Sequence, residues 1–162
     1  MEEASLNILI EICKRFNEKK VKYIVVGAFA SILHGVEKIS KQHRPTKDYD
    51  FLIEGSPENV RSIKSALKDL FKEIDELKDD EFKEYSTVQI VDEKKGFILD
   101  LIVKMWSIDY DIAVKDAVII EIENVPIPVL SIDNLINMKK NSSRPQDKFD
   151  VYWLNQIKIK NP

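Results

Sequence analysis

The chain has 162 residues, a net charge of −3 at pH 7 and a single cysteine. That length suits one domain, expected over residues 1–162 with a core at 21–130 and a helical part at 131–162. The charge argues against a non-specific nucleic-acid coat protein, which would be strongly basic, and the lone Cys13 excludes an internal disulfide. No apolar run reaches the ~20 residues that span a bilayer. The start, MEEASLNILIEICKRF, is acidic and does not read as a signal peptide, so a cytoplasmic protein without membrane attachment is expected. From Ser131 onward six basic residues face three acidic ones, which leaves a basic tail beside an acidic body.

Residues 4–17 place Leu6, Leu9, Ile12, Cys13 and Phe16 at helical spacing. VKYIVVG (21–27) is a β-branched run ending at Gly27, expected as a buried strand, and AFASILHG (28–35) follows directly as a helix. Residues 36–47 are polar, contain Pro45 and read as a loop. DYDFLIE (48–54) is the second strand. Ser56-Pro57 then starts a long helix whose face carries Val60, Ile63, Leu67, Leu70, Phe71 and Ile74. A strand at 84–91, a polar turn at 92–96 and FILDLIV (97–103) make a hairpin. A short helix at 109–116, strands at 117–122 and 125–129, a helix from Ser131 to Lys140 and a last helix from Asp147 to Gln156 complete the chain. The order predicts an α/β (α+β) fold, a mixed sheet packed against helices on one side, rather than a doubly wound alternation.

Side chains alternate along a strand, so Asp48 and Asp50 share a face, about 6–7 Å apart. Two carboxylates so placed repel unless water or a cation lies between them, and Mg²⁺ favours such oxygen ligands. Asp100 stands inside Phe97–Val103, apolar on both sides, where an unpaired carboxylate is costly. Either a salt bridge or a third place at the Asp48–Asp50 site would satisfy it. Three carboxylates on adjacent strands suit two-metal phosphoryl transfer. Gly27 stands where a strand runs into a helix, a junction that lets backbone N–H groups approach phosphate.

Gly27-Ala28, Asp48-Tyr49-Asp50 and Asp100, in that order, resemble the polymerase-β-type nucleotidyltransferase superfamily. The nearer resemblance is to a minimal prokaryotic branch related to the abortive-infection (type IV toxin–antitoxin) nucleotidyltransferase toxins. The branch pattern VGG-x-A, HG, R-x-T-x-D-x-D is met by VVGAFASILHG (25–35) and RPTKDYDFLI (44–53), and its closing pattern by VLSIDNLINMKKNSSRPQDKFDVYWL (129–154). The resemblance implies a nucleotidyltransferase fold and transfer of a nucleoside monophosphate from an NTP such as ATP to a hydroxyl on RNA, protein or a small molecule. It assigns Asp48, Asp50 and Asp100 to catalysis and to two Mg²⁺ ions. It assigns Gly27, Ala28, Arg44, Thr46, Lys139 and Asp147 to the nucleotide, with Asp147 orienting Lys139 or the base. The partners it implies are a nucleoside triphosphate, tRNA or another RNA, a protein acceptor, and a partner protein such as an antitoxin. Ala28 departs from the Gly or Ser usual at the turn, keeping its N–H but offering no hydroxyl.

Other residues carry weaker signals. His34 reads as a packing or capping residue. His43 and Arg44 flank the acidic strand, and either contact with ligand or a solvated loop fits them. Trp106, Tyr152 and Trp153 could stack a base, but packing suits them better.

Overall fold

A computed structural model of the chain describes residues 3–161, so both ends of the expected 1–162 domain lie outside the described residues. Helix α1, Leu6–Glu18, is capped by Ser5, whose hydroxyl accepts from the Ile8 N–H, and buries Leu9, Ile12, Cys13 and Phe16. Strand β1, Tyr23–Val25, runs into α2, Gly27–His34. Residues 36–40 depart from the expected loop: Val36–Ser40 forms a short helix, α3. Gly35, at φ +110°, ends α2 in the left-handed conformation and lets the chain restart at once, with Val36 fully buried as anchor. Five residues are too few for a periodic pattern to reveal.

Strand β2, Asp48–Ile53, leads to α4, Pro57–Leu67, capped by Ser56 as expected. The long helix predicted to Ile74 stops early. Both Leu70 and Phe71 turn their N–H back to the Leu67 carbonyl, Phe71 is extended, and a 3₁₀ segment follows at Lys72–Glu76. Phe71 and Ile74 are still fully buried. The apolar stripe reported burial correctly, while the break lets the Phe71 ring meet Phe97 at 5.1 Å.

Strands β3, Thr87–Asp92, and β4, Phe97–Ile102, form the predicted hairpin. A small ribbon of β5, Lys104–Met105, and β6, Ile108–Asp109, precedes α5, Tyr110–Ala113. Strands β7, Val118–Ile122, and β8, Val125–Val129, pair antiparallel. Helix α6, Ile132–Lys139, follows Ser131. Helix α7, Pro145–Lys160, is longer at both ends than predicted, with Pro145 in its first turn, where its missing N–H costs nothing. No helix among the described residues is long and apolar enough to cross a membrane.

The main sheet has the order β3-β4-β2-β1-β8-β7. It is mixed: β2 pairs parallel with β4 and antiparallel with β1, and β1 pairs parallel with β8. One face, with Tyr23, Tyr49, Phe51, Leu99 and Leu101, is buried, and Phe16 of α1 packs on Phe51 at 5.1 Å. The register Asp50↔Asp100 puts the acidic residues of β2 and β4 side by side on the other face.

Candidate active site

The carboxylates of Asp48, Asp50 and Asp100 converge there. Each offers an oxygen, and these atoms lie within 4.8 Å of one another. The parallel pairing of β2 with β4 does this. Adjacent strands run about 4.8 Å apart, and paired residues project to the same side. No ion pair among the described residues reaches any of the three. Gln89 of β3, opposite Asp100 in the register, donates a hydrogen bond to Asp100 Oδ1 at 2.9 Å.

Burial and like charge show in the titration of Asp50 and Asp48. Burial pushes the Asp50 carboxyl well above its ordinary value. A hydrogen bond and the charge of Asp100 push it further, and Lys139 only partly offsets them. Asp48 is raised by burial and by Asp100, against the opposing pull of Arg144 and Lys47. Three hard oxygen donors that cannot all ionise comfortably suit a divalent cation of the Mg²⁺ type.

The strand–helix junction fits around them. Gly27 has φ +70°, and a Cβ there would stand 2.1 Å from Asp50 Oδ2. Only glycine meets both demands. The N-terminus of α2 therefore opens beside the carboxylates, in a cavity of about 600 Å³ lined in part by Gly27, Ala28, Thr46, Asp48 and Asp50. Arg44, Lys139 and Asp147 line the same cavity, so the residues singled out from sequence gather at one place, with Asp100 beside Asp50.

Their pairings differ from what the motifs suggest. Arg44 is buried and forks onto Asp150, with Nε and Nη2 each 2.9 Å from a carboxylate oxygen, while Nη1 donates to the Pro45 carbonyl at 2.7 Å. Lys139 Nζ lies 2.5 Å from Asp150 Oδ2 and 3.8 Å from Asp147 Oδ1. Asp147 also accepts from the Ser142 hydroxyl at 2.7 Å. Thr46 Oγ1 faces the Asp48 N–H at 3.5 Å, a long contact, and the Thr46 carbonyl takes the N–H of Ala4 at 2.8 Å.

Sequence reasoning placed Asp150 inside the closing pattern but gave it no role, and it is fully buried. A signal existed: Asp150 stands four residues before Leu154, a charged residue on the buried stripe of α7. Gln89 gave no signal, because its role follows from the strand register alone. Of the residues read more weakly, His34 donates from Nε2 to the Leu130 carbonyl at 2.7 Å, and burial lowers its pKa. His43 is exposed between Glu3 and Glu37, both of which raise its pKa. Trp153 packs against the core, whereas Trp106, expected to pack, is 79% exposed.

No protein-family model matches the chain, and no curated protein matches it. Among solved structures, a Thermotoga maritima protein provisionally named a nucleotidyltransferase matches over 93% of this chain and 92% of that one, with a TM-score of 0.56. The chain has a nucleotidyltransferase-like fold. At 17% identity the likeness is one of backbone alone. On this nucleotidyltransferase-like frame the acidic trio lies on one face of β2 and β4, next to the glycine turn.

Proposed function

We propose that the protein is a Mg²⁺-dependent nucleotidyltransferase that moves a nucleoside monophosphate from an NTP to a hydroxyl and releases pyrophosphate. The observation that carries this reading is the trio of carboxylates, in no ion pair among the described residues, beside a glycine turn that no side chain could occupy. Asp48, Asp50 and Asp100 would hold the metal. When bound, Mg²⁺ supplies charge neutralisation and aligns the attacking and leaving oxygens. The amides after Gly27 receive phosphate oxygens at the start of α2. The acceptor oxygen attacks the α-phosphorus, the bond from that phosphorus to the bridging oxygen breaks, and the hydroxyl proton passes to the Asp100 carboxylate. Gln89 steadies Asp100 as it does so. The acceptor hydroxyl belongs to an RNA end, a protein side chain or a small molecule.

The test is a thermal-shift titration of wild type and Asp50→Asn with each of the four NTPs, with and without Mg²⁺. At a hundredfold excess over Kd a ligand specific to the folded state adds about 2.7 kcal/mol. The expected result is Mg²⁺-dependent stabilisation of wild type alone, followed by transfer of label from the α-phosphate of the preferred NTP to a cellular acceptor. Equal behaviour of the two proteins would overturn the metal–nucleotide site. Binding without transfer would leave a nucleotide-binding module in place of an enzyme.

A further inference from the structure

A nucleoside triphosphate needs cations with donors to spare, and the two that the motifs favour have few. Arg44 spends Nε, Nη1 and Nη2 on Asp150 and Pro45, with its side chain 8% exposed. Lys139 is nearly as buried and held by Asp150, with Ser31 Oγ at 3.5 Å as a further contact. Two other cations line the cavity beside Asp48: Lys47 and Arg144. Lys47 is exposed and in no ion pair among the described residues. The Arg144 side chain is 67% exposed, and its one ion-pair contact, to Asp147, is long at 4.0 Å. Both act electrostatically on Asp48. Arg144 also stands at the N-terminus of the sixteen-residue α7, where the helix dipole favours anions.

We propose that Lys47 and Arg144 form the clamp for the β- and γ-phosphates of the triphosphate and, after transfer, for the departing pyrophosphate. The inference rests on the nucleotidyltransferase reading and assigns the distal phosphates to residues that the sequence motifs leave without a role. Chemistry and position agree. The α-phosphate must sit at the carboxylates, where the bond breaks. The distal phosphates extend toward solvent, where the leaving group departs, and long exposed side chains with unused donors can follow them. Arg144 presents a fork that matches phosphate oxygens, and Lys47 a point charge. Arg44 and Lys139 instead hold the cavity wall through Asp150.

The experiment measures binding of an NTP, the matching NMP and inorganic pyrophosphate, all with Mg²⁺, to the full chain. Wild type is compared with Lys47→Ala, Arg144→Ala, Arg144→Lys and Asp50→Asn, and unliganded melting temperatures control for folding, which two exposed positions should leave unchanged. The expected result is a loss of about ten- to hundredfold in affinity for triphosphate and pyrophosphate in each alanine variant. NMP affinity should stay the same, and Arg144→Lys should recover part of the loss. If wild type and the alanine variants bind triphosphate equally while Asp50→Asn weakens it, the clamp is wrong and the enzyme reading stands. Loss of triphosphate and NMP affinity in equal measure would also refute the clamp, since the effect would not be specific to the distal phosphates. If the alanine variants weaken triphosphate and pyrophosphate binding but Asp50→Asn leaves triphosphate binding unchanged, the clamp is real and the carboxylate site fails. If wild type binds none of the ligands, both fail together.

Discussion

Two clusters of charge lie beside one cavity and are built on opposite terms. In one, Asp150 is fully buried and meets Arg44 and Lys139 with short, well-aligned bonds, tying together the segment before β2, α6 and α7. In the other, Asp48, Asp50 and Asp100 crowd together in no ion pair among the described residues, and burial, with the charge of Asp100 adding to it, raises the pKa of Asp48 and Asp50. The first cluster is satisfied from within the chain. The second could hold a metal ion. A buried charge that is paired says little about function; a group of like charges held together by strand register says a good deal.

The largest effect that this contrast predicts is on stability. Asp150→Ala should cost about 3–5 kcal/mol, because it strands two buried cations at once, and urea unfolding will measure it. A loss well under 1 kcal/mol would mean that water reaches the network and that it is no anchor. Smaller is the effect of Gly27→Ala. With φ +70° and a Cβ overlapping Asp50, the substitution should cost about 1–3 kcal/mol. It should also displace the Asp50 carboxylate, so Mg²⁺-dependent NTP binding should fall away while the chain remains folded. Normal binding by this variant would remove the glycine turn from the site.

The smallest effect sharpens the second cluster. Without metal, the Asp50 carboxyl is raised above its ordinary 3.8 in the folded protein. Its contribution to stability is therefore complete below that ordinary value and is lost as pH rises through the folded value. Acidification from neutrality should stabilise wild type relative to Asp50→Asn, and Mg²⁺ should flatten the difference. Melting temperatures of the two proteins across that range are the check. Parallel curves would show that the Asp50 carboxyl is not raised in the folded protein.

Much of this was legible in the sequence, for identifiable reasons. Most of the strand and helix order, the Ser56 and Ser131 caps, the β3–β4 hairpin and the buried stripe of α1 are local, and local pattern specifies them. The pairing of Asp48 with Asp50 on one face follows from the pleat of a single strand. Helix ends were less legible. The stop after Leu67 and the five-residue α3 depend on what Phe71 and Val36 are buried against, and no window of sequence contains that.

Tertiary structure alone decided the rest. Asp100 could have been a salt-bridged strand residue, and the parallel pairing of β2 with β4 is what brings it to Asp50. Arg44 and Asp150 are 106 residues apart, and only the fold joins them in a fork at the cavity wall. Gln89 reaches Asp100 only through the register of β3. The sequence by itself determined most of the elements and the facing of Asp48 and Asp50, because those follow from backbone geometry over a few residues. Which charges are paired inside the fold and which stand together unpaired depended on contacts between distant segments, and only the assembled sheet and helices supply those.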